Sequence, residues 1–215
     1  MKDPLTACSK EFEGADVMLS FAGSDELAAQ IRQGVKPDVF ASANTKLPDQ
    51  LADLGLVEVP VPFATNTLVL AVPKGESKVG SLTDLGDPGV RIAIGSESVP
   101  IGAYTRKVLA KLDPAERKAI LTNVRSNEPD VKGIVGKLTQ RAVDAGFVYR
   151  TDVAAAPDRL RAIELPDQLQ PEVAYAAAVV RGADHPDAGG RYLEGLRSGA
   201  CAEALQRAGF GSVAP

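Results

Sequence analysis

Two apolar runs constrain this chain more than any other feature: TLVLAVP at 67–73 and the core of EVAYAAAVVRG at 172–182. Neither shows the polar alternation of a half-exposed strand, so each reads as a strand buried on both faces. They stand on either side of a long middle segment. A chain that crosses to a second lobe and returns needs two such crossings. The pattern predicts an α/β protein of two lobes joined by a strand-pair hinge, with a ligand in the cleft between them. The expected boundaries are 1–65 with 178–215 for the first lobe, and 66–177 for the second.

The rest of the chain alternates short strands with helical patterns, as an α/β fold requires. Strands are expected at 16–22 (DVMLSFA), 38–43, 90–96 and 145–149. Helices are expected at 5–12, 25–34, 47–55, 103–112, 113–121, 130–140, 187–196 and 201–209, with a short serine-capped helix at 81–86. Asp113 and Asp130 stand where N-caps belong, and Gly34 and Gly55 where helices stop.

Composition removes several function classes. The net charge is -4, and no Lys/Arg cluster is visible, which argues against a nucleic-acid partner. Aromatic residues make up 5% with no Trp, too few for a base-stacking surface. No apolar stretch approaches the roughly 18 residues of a membrane helix, and MKDPLTACSKEF has no signal-peptide pattern. The single histidine, His185, lies in the polar loop GADHPDAG and reads as solvated. One histidine and two distant cysteines make no metal-ligand set. No nucleophile elbow, Walker loop or dinucleotide fingerprint is present, so an enzyme is poorly supported and no cofactor is implied. Cys8 and Cys201 read equally as two buried thiols or as one disulfide.

What recurs is a helix start that follows a strand and a small-residue loop. Three stand out: Gly23-Ser24 before DELAAQI, ESVPIGAY (97–104), and NEPDVKG (127–133). The first turn of a helix carries N–H groups without intrahelical acceptors and the positive end of the dipole, so it attracts anions. Singly, each is an ordinary cap. Converging, three would make a cage for a small oxyanion.

Several segments together, SFAGSDELAAQIRQGVKPDVFASAN (20–44), NTLVLAVPKG (66–75), VPIGAYTRKVL (99–109), AGFVYRTDV (145–153) and LQRAGF (205–210), resemble the periplasmic molybdate-binding proteins of ABC transporters. The resemblance runs in order from Leu5 to the end of the chain. It implies a two-lobed, periplasmic-binding-protein-like type II fold, each lobe a mainly parallel sheet flanked by helices. It also implies a monomeric receptor that closes on molybdate or tungstate and docks on a membrane permease. The implied ligands are neutral donors: the hydroxyl and N–H of Ser24, the N–H of Ile101 (often Ala in the family), the N–H of Val131, and the hydroxyl of Tyr149. Ser24 is expected to cap its helix as well.

The family's first strand, running into AAASL with a further serine ligand, is expected ahead of Met1, so that the chain would be a shortened form whose binding is impaired. The implied setting is the periplasm or the outer face of the cell membrane, with a lipid anchor as one form of attachment. That setting favours a Cys8–Cys201 disulfide. The competing readings are the same fold binding another small oxyanion or an organic ligand, and a transcription-factor effector domain, which would need a helix-turn-helix segment.

Overall fold

The computed structural model describes residues 1–13 and 15–213. The chain divides into two compact units, Met1–Asn66 with Val173–Pro215, and Thr67–Glu172. In chain order the first unit opens with α1 (Lys2–Lys10), α2 (Ser24–Arg32), β1 (Val39–Ser42), α3 (Lys46–Asp53) and β2 (Val61–Asn66). The second holds β3 (Leu68–Pro73), β4 (Ile92–Gly95), α4 (Pro100–Ala110), α5 (Pro114–Thr122), β5 (Val124–Glu128), α6 (Val131–Thr139), β6 (Ala145–Tyr149), α7 (Arg150–Ala154) and β7 (Leu160–Glu164). The chain then returns to the first unit as β8 (Val173–Val179), α8 (Pro186–Arg197) and α9 (Gly199–Arg207).

In the first unit β8 lies between β1 and β2 and runs antiparallel to both. Its side chains alternate between two covered faces, which is why the sequence is apolar without a break. Ala178, followed by Val180 just beyond the strand, joins Phe40 against Ala28 and Ile31 of α2 and Leu47 and Leu51 of α3. Tyr175 points the other way and meets Phe63 and Phe210 edge-on, with ring centroids 6.1 and 5.4 Å apart. Cys8 of α1 and Cys201 of α9 form a disulfide. Beside it the hydroxyls of Ser9 and Tyr192 are 2.9 Å apart.

In the second unit the sheet order is β5-β4-β6-β3-β7. β4 is parallel to both β5 and β6, whereas β3 is antiparallel to β6 and β7. Parallel neighbours need crossovers; α4 and α5 connect β4 to β5, and α6 connects β5 to β6. β3, β4 and β6 are buried at every position.

Three expectations are corrected. The sheets are mixed rather than mainly parallel: in the first unit the returning β8 opposes both neighbours, so β1 and β2 are parallel to each other without being paired. Residues 16–22 form no strand, although their apolar pattern suits one; Met18 is 95% exposed there. An extended segment becomes a strand only when a neighbour takes its backbone hydrogen bonds, and among the described residues none is paired with it. The short helix near 81–86 is a 3₁₀ turn (Thr83–Gly86) organised by Asp84, not by a serine cap. The N–H groups of Gly80 and Ser81 donate to its carboxylate at 2.7 and 2.9 Å. The Gly80 N–H, with the Ser81 hydroxyl after it, holds that carboxyl below its ordinary range.

Candidate functional site

In the first unit β1 ends at Ser42, and the loop after it passes the start of α2. Gly23 is the N-cap of that helix with φ -57 and ψ 139, and it offers no side chain for capping. Ser24 is the first helical residue, and its side chain does not cap α2, which corrects the expectation that Ser24 also caps its helix. Its Oγ instead accepts the N–H of Ala43 at 3.2 Å. Ser24 is 9% exposed.

In the second unit three expected residues come to one edge of the sheet. β4, β5 and β6 are adjacent and point the same way, so the segments leaving their carboxyl ends emerge on the same side. After β4 comes α4 with Ile101; after β5 comes α6 with Val131; Tyr149 is the last residue of β6. The carboxyl ends of parallel strands are where α/β folds bind ligands, because loops and helix N-termini collect there.

The start of α4 is set by close backbone approach. A Cβ on Gly102 would stand 1.8 Å from Ser96 O and 2.5 Å from Gly95 O, and one on Gly95 would stand 2.6 Å from Gly102 N. Only two glycines allow this contact, which turns the chain from β4 into the helix. Arg106 locks it from behind, with Nη1 donating to Gly95 O at 3.0 Å and to Gly102 O at 3.2 Å. The first intrahelical bond to close is from Ala103 N–H to Val99 O, at 3.0 Å. The Ile101 N–H precedes it and belongs to the orphan donors of the first turn.

At α6, Asp130 caps as expected, accepting the Gly133 N–H at 2.9 Å. The Val131 N–H is left at the mouth of the helix. Glu128 stands beside it, accepting the Ser126 hydroxyl and paired with Lys137 Nζ at 3.5 Å. Gly133 makes room for that carboxylate: a Cβ there would meet Glu128 Oε2 at 2.5 Å.

Tyr149 is buried, with its ring edge-on to Tyr104 at 6.5 Å. Its N–H donates to Asp152 Oδ2 at 3.0 Å, which ties the end of β6 to the first turn of α7. Burial pushes the Asp152 carboxyl up to about 6, with Asp130 adding to the rise, against the opposing pull of the Tyr149 N–H and of Lys132. The folded pKa lies above the ordinary 3.8, so the native state holds this proton more tightly than the unfolded chain does. The resulting stability is fully present below about pH 4 and is lost as pH rises through about 6. The stability difference between the parent protein and Asp152→Asn is therefore expected to shift by about 1–3 kcal/mol between pH 4 and 7. Urea unfolding at both pH values measures it; a constant difference would show that Asp152 does not titrate in this range.

Ile101, Val131 and Tyr149 are thus gathered on one sheet edge of the second unit, and Ser24 lies in the first unit beside the end of β1. His185 is exposed, with its N–H donating to Asp38 Oδ1 at 2.8 Å. Sequence reasoning missed Ser42, Asn44, Arg106, Asp152 and the Gly95–Gly102 contact. Only Ser42-Ala43-Asn44 carried a local signal, since Ser and Asn two residues apart favour a side-chain-stabilised turn.

The family described as bacterial extracellular solute-binding protein matches residues 1–211. The molybdate-binding protein ModA of Mycobacterium tuberculosis is 33% identical over 199 residues, covering 92% of this chain and 74% of that protein. ModA of Escherichia coli is 30% identical over 221 residues, covering 98% of this chain and 83% of its own length. Among solved structures, the periplasmic molybdate-binding protein of Azotobacter vinelandii has the same fold, with a TM-score of 0.82 at 21% identity. That match covers 99% of this chain and 94% of the other.

Proposed function

We propose, for a chain that belongs to the bacterial extracellular solute-binding protein family, that its solute is molybdate or the near-isosteric tungstate. It is a binding protein and not an enzyme. It works outside the cytoplasm as the monomeric receptor of an ABC importer and delivers the anion to a membrane permease. The curated relatives named for molybdate support this solute.

The observation that carries the reading is the gathering of Ile101, Val131 and Tyr149 at the carboxyl ends of β6 and its parallel neighbours. In this reading Ile101 and Val131 give N–H groups from two helix starts, Tyr149 gives a hydroxyl, and Ser24 gives a hydroxyl and an N–H. All are neutral donors. A dianion needs donors at every oxygen, and hydrogen bonds to a charged oxygen are about twice as strong as neutral ones. The helix dipoles add to them. Fixed donors also select by size, since a smaller tetrahedral anion leaves some of them unpaired at the cost of their desolvation.

Isothermal titration with molybdate, tungstate, sulfate and phosphate tests this. Heat is expected with molybdate and tungstate. No heat with molybdate, or clear heat only with another anion, would overturn the reading. Ser24→Ala removes one charge-assisted bond and is expected to weaken molybdate about 10- to 100-fold; unchanged affinity would remove Ser24 from the ligand set.

A further inference from the structure

We propose that the Ser42-Ala43-Asn44 turn is a positioning device that keeps the hydroxyl hydrogen of Ser24 available to an oxyanion. The proposal rests on the molybdate reading for its ligand and on hydrogen-bond geometry for its mechanism.

The turn is closed at both ends. Ser42 is fully buried in β1, opposite Ala176 of β8. Its hydroxyl donates to Asn44 Oδ1 at 3.2 Å, and the Asn44 N–H donates back to Ser42 Oγ at 3.3 Å. Asn44 Oδ1 also accepts the Leu47 N–H at 3.0 Å, so the same side chain caps α3, for which Thr45 provides no side-chain cap. One amide oxygen therefore ties the end of β1 to the start of α3. Ala43, between these two anchors, has its N–H fixed on Ser24 Oγ.

The consequence is one of polarity. A serine hydroxyl has one hydrogen and two lone pairs, and it ordinarily rotates to whatever partner is near. At the first turn of a helix it commonly spends itself on local backbone groups. Here the local partner is an N–H, which can only donate, so Ser24 meets it with a lone pair and cannot spend its hydrogen there. The hydrogen stays for an acceptor elsewhere, and an oxyanion offers only acceptors. Had the loop presented the Ala43 carbonyl instead, the hydrogen would be consumed before any ligand arrived.

Asn44 therefore acts on the ligand only through Ser24. A double-mutant cycle on molybdate affinity by isothermal titration reads that coupling. Asn44→Ala is expected to weaken binding about tenfold in the parent protein and to have no further effect in the Ser24→Ala background. Equal losses in both backgrounds, or no loss in the parent, would overturn the proposal. Asn44→Asp keeps the acceptor for Ser42 and Leu47 but adds a charge that repels a dianion, so it is read by amide exchange rather than by affinity. Urea unfolding of Asn44→Ala separates loss of the turn from loss of the fold.

Amide exchange by NMR on the ligand-free protein provides the second measurement. Protection of the Ala43 N–H is expected to fall about tenfold or more in Ser24→Ala and Asn44→Ala and to be retained in Asn44→Asp. Unchanged protection in Ser24→Ala would refute the hydrogen bond itself. A parent protein that binds no molybdate but shows this exchange pattern would end the molybdate reading while leaving the turn's control of Ser24 polarity standing.

Discussion

Gly102→Ala is expected to cost about 3 kcal/mol or more and to remove molybdate binding with it. The reason is space. The new Cβ would fall 1.8 Å from Ser96 O and 2.5 Å from Gly95 O, and both obstacles are backbone that cannot rotate aside. Relief requires the start of α4 to back away from β4. That breaks the Arg106 hydrogen bond to Gly95 O, the one that ties α4 to β4, and moves the Ile101 N–H. Gly136→Ala is the control: it lies in α6, where a Cβ meets nothing within 4 Å. That change is expected to be neutral or to stabilise by up to about 1 kcal/mol through helix propensity. Urea unfolding and isothermal titration of the two variants separate a tight backbone contact from a general intolerance of change in the second unit. Native stability and affinity in Gly102→Ala would show that α4 starts further from β4 than described.

Loss of the disulfide is the other large effect. Cys8 and Cys201 are 193 residues apart in sequence, so the bond removes a great deal of freedom from the unfolded chain. Chain entropy alone gives about 5 kcal/mol for so long a loop, and measured losses of native disulfides are about 2–5 kcal/mol. At roughly 2–4 °C per kcal/mol for a chain of this size, Cys8→Ser and Cys201→Ser are each expected to lower Tm by about 10 °C. The reduced parent protein should melt with the variants. α1 is the element most affected, because the bond joins it to α9. Unreduced protein should show no titratable thiol; two free thiols, or variants melting with the parent, would contradict the expectation.

How much was legible depended on what each element leans on. β3, β4, β6 and β8 are buried on both faces, and their apolar runs announce them. β5 (VRSNE) and β7 (LRAIE) lie at the two edges of their sheet and carry charges there, so neither reads as a strand. β2 is interrupted by Pro62, where its pairing with β8 shifts register. The segment at 16–22 failed in the opposite direction: strand-like by composition, it has no ladder among the described residues, and no property of its own residues could reveal that. At the site, the helix starts holding Ser24, Ile101 and Val131 were visible as caps and loops. The partner of the Ser24 side chain was not, because Ala43 contributes a backbone N–H that has no sequence signature.

By itself, then, the sequence determined the α-helices apart from the short α7, the doubly buried strands, the Asp113 and Asp130 caps, and three helix starts suited to an anion. These arise from periodicity and capping, which act within a few residues. The tertiary structure alone decided the direction of β8 and the identity of the edge strands. It also decided the placing of Ile101, Val131 and Tyr149 at one sheet edge and the polarity of Ser24. Each of these joins residues distant in the chain, and such contacts are selected by the packing of the whole unit rather than by any local preference.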